Sequence, residues 1–352
     1  MNKENPVLGI IGGGQLGSML AIAAKKIKVK TIILTDDPEA PAKNFCDKII
    51  ISDYNKLKKI DDFVGRVDFI TFEFENIPFK ILEYISKQKS VYPRPAINQI
   101  VQNRFKEKQF INNAGIKTTD YVLIKNKSDI LNNENLLPAF LKTCTMGYDG
   151  KGQHIINNKD EIDQLNIDFK EEYILEKKIN LKKEISIIIT RFLNNDCLIY
   201  EPIENLHINQ ILNRSVIPAV IDKNIFIQAK QQAKLLAEKL DYIGTMCVEY
   251  FIDENNNLLL NEIAPRVHNS GHLTINTYNV SQFENHIRAV CNFKKIELKK
   301  NYNAEMINII GDEIKTYRSK TYYKNEFFFD YLKTEIKNKR KMGHLTTIKP
   351  LD

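Results

Sequence analysis

The strongest constraint on this chain lies near its start, where an apolar run, Val7–Ile11, ends in Gly12-Gly13-Gly14-Gln15-Leu16-Gly17. Apolar residues then recur at helical spacing: Leu16, Met19, Leu20, Ala23, Ala24 and Ile27. A short strand, a glycine turn and an amphipathic helix form a strand–turn–helix unit. Residues 31–35, 48–51 and 67–72 supply further short apolar strands. Such alternation builds a parallel sheet covered by helices. With 352 residues the chain also exceeds the ~250–300 that one core holds, so more than one domain is expected.

The rhythm breaks at Tyr92-Pro93-Arg94-Pro95. A polar helix over about residues 96–114 leads into antiparallel hairpins that pair 139–143 with 153–156, 185–192 with 196–199, and 246–252 with 258–263. Asp253-Glu254-Asn255-Asn256-Asn257 closes the last of these. Between them lies a helix with Ala229, Ala233, Leu236 and Leu240 on one face. A short basic segment of mixed character follows Lys294.

Several classes are excluded by composition. No run reaches the ~18 apolar residues of a membrane span, and no apolar stretch of signal-peptide length precedes Gly9, so a cytoplasmic protein is expected. The five cysteines (Cys46, Cys144, Cys197, Cys247, Cys291) are scattered without a CxxC pair, which argues against disulfides and structural zinc. Net charge is +7, but both signs are mixed along the chain. That pattern suits plain compositional drift or small anions better than nucleic acid.

Taken alone, Gly12-x-Gly14-x-x-Gly17, with Asp36 near the end of the second strand, matches a dinucleotide fingerprint and points to an NAD-dependent oxidoreductase. A single GxGxxG discriminates poorly, because any βα turn that approaches a phosphate closely needs these glycines. A tight structural turn without nucleotide, or a phosphorylated-substrate site, is the better reading.

Four later features are more specific. Lys142 precedes Gly147-Tyr148-Asp149-Gly150-Lys151-Gly152-Gln153, a glycine-rich flap between two strands whose amides can close over phosphates. Lys142 and Lys108 can supply point charges to a triphosphate. Ile174-Leu175-Glu176-Lys177-Lys178-Ile179 is an apolar strand running into a connector, suited to reading adenine through its backbone, and Glu184 can accept from ribose hydroxyls. Glu249 and Glu262 lie nearly opposite each other on the last hairpin, in a register that sequence does not fix. With Asn261 beside them, they form oxygen ligands for Mg²⁺. Finally, Ala264-Pro265-Arg266-Val267-His268-Asn269-Ser270-Gly271-His272 concentrates an anion-binding Arg and a proton-moving His directly after the second carboxylate.

Together these motifs resemble the ATP-grasp ligases, and the APRVHNSGH stretch resembles the N5-carboxyaminoimidazole ribonucleotide synthetase family. Glu73-Phe74-Glu75-Asn76-Ile77-Pro78 and Arg340-Lys341-Met342-Gly343-His344 match in the expected order. The resemblance implies a mixed α/β and α+β fold: an N-terminal parallel α/β (pre-ATP-grasp) domain over 1–95, an ATP-grasp domain over 96–293 and a small C-terminal domain over 294–352. It implies ATP- and bicarbonate-dependent carboxylation of aminoimidazole ribonucleotide through carboxyphosphate, in purine biosynthesis, by a homodimer using Mg²⁺. The implied ATP ligands are Arg104, Lys108, Lys142, the flap from Gly147 to Gln153, Glu176 to Ile179, Glu184, His207, Asn261 and Glu262, with Glu249 and Glu262 on the metal. Arg266, His268, Tyr148, Asp149 and Lys341 are the implied catalytic set. Gln15, Leu16, Glu73, Glu75, Asn76, Asn269, Ser270, Arg340 and Lys341 would hold the ribonucleotide.

Two stretches depart from the family pattern. Cys144-Thr145-Met146 stands where an Arg is common, and Lys337-Asn338-Lys339 replaces a Pro-Gly turn before Arg340. The nearest rival readings are a formate-using glycinamide ribonucleotide transformylase and a biotin carboxylase-like subunit. A nucleotide-binding regulatory protein is a further alternative.

Overall fold

The computed structural model describes residues 6–145, 152–165 and 167–351. The chain begins as the glycine turn requires, with β1 (Val7–Ile11), α1 (Gln15–Lys26), β2 (Lys30–Thr35), β3 (Lys48–Ile51), α2 (Leu57–Gly65), β4 (Phe69–Phe72) and α3 (Phe79–Ser86). Its strands form a parallel sheet in the order β3-β2-β1-β4. Apolar residues pack both faces. Ile11, Leu34 and Phe72 lie with Phe63 and Leu82, and Leu8, Ile10 and Ile33 with α1.

Two helices follow where the composition suggests one: α4 (Pro95–Val101) and α5 (Arg104–Asn113). The break has a local cause. Asn103 takes an extended conformation, and its side chain accepts from the Lys106 N–H, capping α5 afresh. Next come β5 (Tyr121–Ile124), α6 (Lys127–Leu131), β6 (Ala139–Thr143), β7 (Gln153–Ile156), α7 (Lys159–Asp163) and β8 (Tyr173–Lys177). Their antiparallel sheet runs β5-β8-β6-β7.

The remaining elements are β9 (Leu181–Arg191), β10 (Cys197–Ile199), β11 (Ile203–Ile208), β12 (Ile211–Ile217), α8 (Lys223–Lys239), β13 (Gly244–Asp253), β14 (Leu258–Ala264), α9 (Thr274–Thr277), α10 (Gln282–Val290), β15 (Asn303–Ile310), α11 (Glu313–Ser319), β16 (Glu326–Asp330) and β17 (Lys341–Lys349). Their strands make one sheet, β14-β13-β9-β11-β12-β15-β17-β16, with β10 beside β9, so the C-terminal segment extends the central sheet. Helix α8 packs Ala229, Ala233 and Leu236 onto Ile187, Met246 and Val248, sealing one face. The opposite face stays polar where the site lies. The cysteines are free; Cys144, Cys247 and Cys291 are buried, whereas Cys46 and Cys197 are only partly so.

Buried His286 on α10 ties the parallel sheet to the central sheet. Its Nδ1 accepts the Thr245 N–H of β13 at 3.0 Å, so Nε2 bears the proton it shares with Thr71 Oγ1 of β4 at 2.7 Å. Burial holds its pKa down to about 4. The unfolded chain protonates this group near pH 6.5 and the folded chain only near 4, so the stabilisation is complete above pH 6.5 and lost as pH falls toward 4. Stability should therefore decline by up to about 1.4 kcal/mol per pH unit in that window. In urea titrations His286→Asn is expected to be less stable at pH 7.5 but to show a flatter slope below 6.5. An unchanged slope would assign the acid sensitivity elsewhere.

Candidate active site

The polar face of the central sheet is set by a register irregularity. Ile252 pairs with Leu258, Phe251 with Leu259 and Tyr250 with Leu260; then Asn261 is passed over and Glu249 pairs with Glu262. Paired residues share a face, so this β-bulge turns Glu262 toward Glu249 and sends Ile263 into the core with Val248. Glu249 also pairs with Ser186, and Phe251 with Glu184, on β9.

Burial, and next the facing Glu262, push the Glu249 carboxyl up to about 7. On the flank, His268 Nε2 lies 3.1 Å from Glu249 Oε1. The other ring nitrogen, Nδ1, accepts the Ser270 N–H at 3.3 Å and sits 2.9 Å from Ser270 Oγ. That assigns the proton to Nε2, aimed at Glu249. Burial, then Arg266 and Lys341, hold this imidazole well below its usual pKa. His207 meets the Glu184 carboxylate directly. Burial disfavours its charged form, but Glu184 outweighs burial and raises its pKa.

Cations gather beyond Glu262. Arg104 Nη1 lies 3.4 Å from Glu262 Oε2. Lys142 of β6 reaches Glu176 Oε2 at 2.9 Å, and Lys108 of α5 reaches Glu176 Oε1 at 3.7 Å and the Asn261 carbonyl at 3.4 Å. Burial alone would raise the Glu176 pKa, but Lys108 and Lys142 outweigh it and hold it well below normal. Glu176 thus positions the lysines. Strand β8 is interior to its sheet, and the Lys177 and Lys178 N–H groups donate to the Asp120 and Pro138 carbonyls. Only the connector beyond them, at Ile179, lies past these paired amides. Gly147, Tyr148, Asp149, Gly150 and Lys151 lie outside the described residues. Gly152 has φ +70° and Gln153 pairs with Lys142.

The N-terminal domain meets this face through two carboxylates. Glu73 is buried under the glycine turn and accepts the Gly14 and Gly17 N–H groups at 2.7 and 3.2 Å. Burial raises its pKa despite those donors. A Cβ at Gly12 would stand 2.7 Å from Glu73 Cγ, and one at Gly14 2.8 Å from Glu73 Oε1. The glycines therefore make room for a side chain of the protein itself. Glu75 holds the Arg266 guanidinium in a two-point ion pair, with Nη2 3.1 Å from Oε1. Leu16 is buried on α1, and Asn76 is half-buried on the loop after β4.

Three contributors have no sequence motif. Glu107 accepts the Ile263 N–H at 2.6 Å, and burial, then Glu262, push its pKa up to about 8. Lys333 donates to Gln15 Oε1 at 2.8 Å and to the Lys341 carbonyl at 2.6 Å, joining α1 to β17. Gln282 clamps both backbone groups of His268, accepting its N–H at 3.0 Å and donating to its carbonyl at 2.6 Å. Asn269 bridges Tyr331 and Asn308. Arg340 donates to the Glu335 carbonyl at 3.1 Å.

Comparison with known proteins agrees with this layout. Residues 6–102 match a ribonucleotide synthetase preATP-grasp domain, 109–283 an ATP-grasp domain, and 304–351 a phosphoribosylaminoimidazole carboxylase C-terminal domain. The N5-carboxyaminoimidazole ribonucleotide synthase of Bacillus subtilis is 38% identical, covering 97% of this chain and 91% of its own. The Brucella melitensis enzyme of that name is 37% identical over 99% and 98%. The Staphylococcus aureus N5-carboxyaminoimidazole synthetase complexed with ADP superposes with TM-score 0.93 at 35% identity, covering 99% of this chain and 94% of that one. The Aspergillus clavatus enzyme, in complex with ADP and 5-aminoimidazole ribonucleotide, gives 0.89 at 26% identity, with coverage of 99% and 94%.

Both departures from the family pattern have a local reading. The Cys144 carbonyl accepts the Arg104 N–H at 2.9 Å, which ties this stretch to the start of α5. Lys339 has φ +65°, a left-handed conformation that a glycine adopts without cost. L-residues lose roughly 1–2 kcal/mol there. Lys339→Gly is therefore expected to raise unfolding stability by about 1 kcal/mol, and Lys339→Ala to leave it unimproved, by thermal and urea unfolding.

Proposed function

The chain belongs to the N5-carboxyaminoimidazole ribonucleotide synthase family, and we propose that its ATP- and bicarbonate-dependent carboxylation of aminoimidazole ribonucleotide runs on the face shared by β9, β13 and β14. One observation carries the assignment of residues: two carboxylates, Glu249 and Glu262, stand in register with His268 on one flank and Lys108, Lys142 and Arg104 on the other.

The pair fits a divalent cation, because neighbouring carboxylates repel unless a cation offsets them, and Glu262 adds to the burial that raises the Glu249 carboxyl. Mg²⁺ held by Glu249 and Glu262 would neutralise charge on the ATP phosphates. Lys142 and Lys108, held by Glu176, and Arg104 serve the same end from the opposite side. A bicarbonate oxygen attacks the γ-phosphorus, the bond to the bridging oxygen breaks, and ADP leaves with those electrons. The carboxyphosphate so formed delivers CO₂: the exocyclic amine bonds to carbon, the bond from that carbon to the phosphate oxygen breaks, and phosphate departs. His268, kept neutral and joined through Nε2 to Glu249, assists proton transfer from the amine.

Arg266 approaches the bicarbonate-derived anion with whichever of its five donors are left by Glu75 and the Val267 carbonyl. Tyr148 and Asp149 would cover the labile intermediate. Gln15, Lys333 and Lys341, brought together where α1 meets β17, form the ribonucleotide-phosphate side. In the same reading the enzyme is a cytoplasmic homodimer of three domains, divided at 95/96 and 293/294, that acts on small molecules and binds neither nucleic acid nor membrane. Among the described residues no helix is long and apolar enough to cross a membrane.

The direct test is phosphate release from ATP with bicarbonate, with and without aminoimidazole ribonucleotide. Background release in both, or replacement of the substrate by glycinamide ribonucleotide, would overturn the reading. His268→Ala and Glu262→Gln should each lower turnover by more than ~10-fold. Near-normal rates in either variant would remove that residue from the mechanism.

A further inference from the structure

One residue of the site face has no place in this chemistry. Cys247 lies two residues before Glu249 on β13, so both side chains leave the same face of the strand. The thiol is fully buried and faces the Ser186 and Ser270 hydroxyls. Its sulfur, a Glu249 carboxylate oxygen and a His268 ring nitrogen all lie within 4.8 Å of one another. Two of the three come from alternate positions of one strand, and the backbone of the third is fixed by the Gln282 clamp on His268. The set is therefore held by backbone rather than by chance rotamers.

Sulfur, nitrogen and oxygen donors brought together suit a borderline-soft cation with tetrahedral preference, not Mg²⁺, which takes oxygen ligands in octahedral geometry. Ligand atoms on a tetrahedral zinc ion stand about 3.4–3.7 Å apart, so rotamer adjustments of roughly an ångström close the site. Three protein ligands with a fourth position left to water are the usual composition of an open zinc site.

We propose that Cys247, Glu249 and His268 form a binding site for Zn²⁺ or a chemically similar thiophilic ion, and that its occupation inhibits the enzyme. On binding, the thiol proton passes to solvent and sulfur bonds to the metal. The ion takes both the carboxylate meant for Mg²⁺ and the imidazole meant for the amine proton. Cys247 is thus the element that converts a magnesium site into a zinc-sensitive one. The inhibitory half rests on the function proposed above; the binding half does not.

The test separates the two. Intact protein without nucleotide is titrated with Zn²⁺ alone by calorimetry, and with Co²⁺ alone by absorption. Wild type should bind one Zn²⁺ at this site and show a thiolate-to-cobalt charge-transfer band. Cys247→Ala should lose the band and weaken Zn²⁺ binding by more than the ~100-fold that loss of an outer-shell partner costs. Cys247→Ser, which preserves shape and hydrogen bonding, should behave alike and controls for misfolding. In turnover assays at fixed Mg²⁺, Zn²⁺ should inhibit wild type at far lower concentrations than either variant, and a chelator should restore the rate. Absence of the band, or equal Zn²⁺ affinity in wild type and both variants, overturns the site. Tight Cys247-dependent binding without inhibition overturns only its effect on turnover.

Discussion

The half-buried ion pair between Glu75 and Arg266 joins a loop of the N-terminal domain to the loop that follows β14, and the site depends on that joint. Burial disfavours both charges, yet each stabilises the other enough to keep Arg266 strongly protonated and to hold Glu75 below its usual pKa. Breaking a fully buried pair from one side typically costs about 3–5 kcal/mol, because the survivor is left charged without a partner, and a half-buried one costs less. Here the cost would fall on geometry as well. Val267 and His268 follow Arg266 directly, so the position of the imidazole over Glu249 is inherited from a contact with another domain.

Glu73, two residues earlier, works by the same economy on the opposite side. Its carboxylate occupies the N–H groups at the start of α1, the place where a helix terminus would otherwise attract a phosphate. A ligand that used those amides would have to displace a side chain the protein itself provides. The glycines read as a nucleotide fingerprint, whereas their spacing is equally what the bulk of Glu73 demands.

Much of the architecture was legible because it is local. The parallel first unit and the hairpins follow from apolar periodicity and turn residues, whereas the exact pairing of Glu249 with Glu262 needs the bulge at Asn261, which periodicity does not show. Less legible were features decided by contacts distant in sequence. A polar helix gave no sign that Asn103 would restart it, since a mid-helix Asn differs from a cap only by its backbone conformation. Nothing near Lys333 or Gln282 marks them, because their partners are Gln15 and Lys341, and His268. The interior place of the strand at Glu176 is likewise set by partners distant in sequence, β5 on one side and β6 on the other.

The bulge at Asn261 has a consequence for how this hairpin can vary. Were the ladder regular through Asn261, that residue would pair with Glu249 and Glu262 with Val248, placing a carboxylate against Met246 and Tyr250 and turning Ile263 toward the site. Replacing Asn261 changes one side chain; drawing it into the ladder would reverse the inside and outside of everything after it on β14. The quantity encoded at this point is therefore parity, an odd residue in a two-residue repeat.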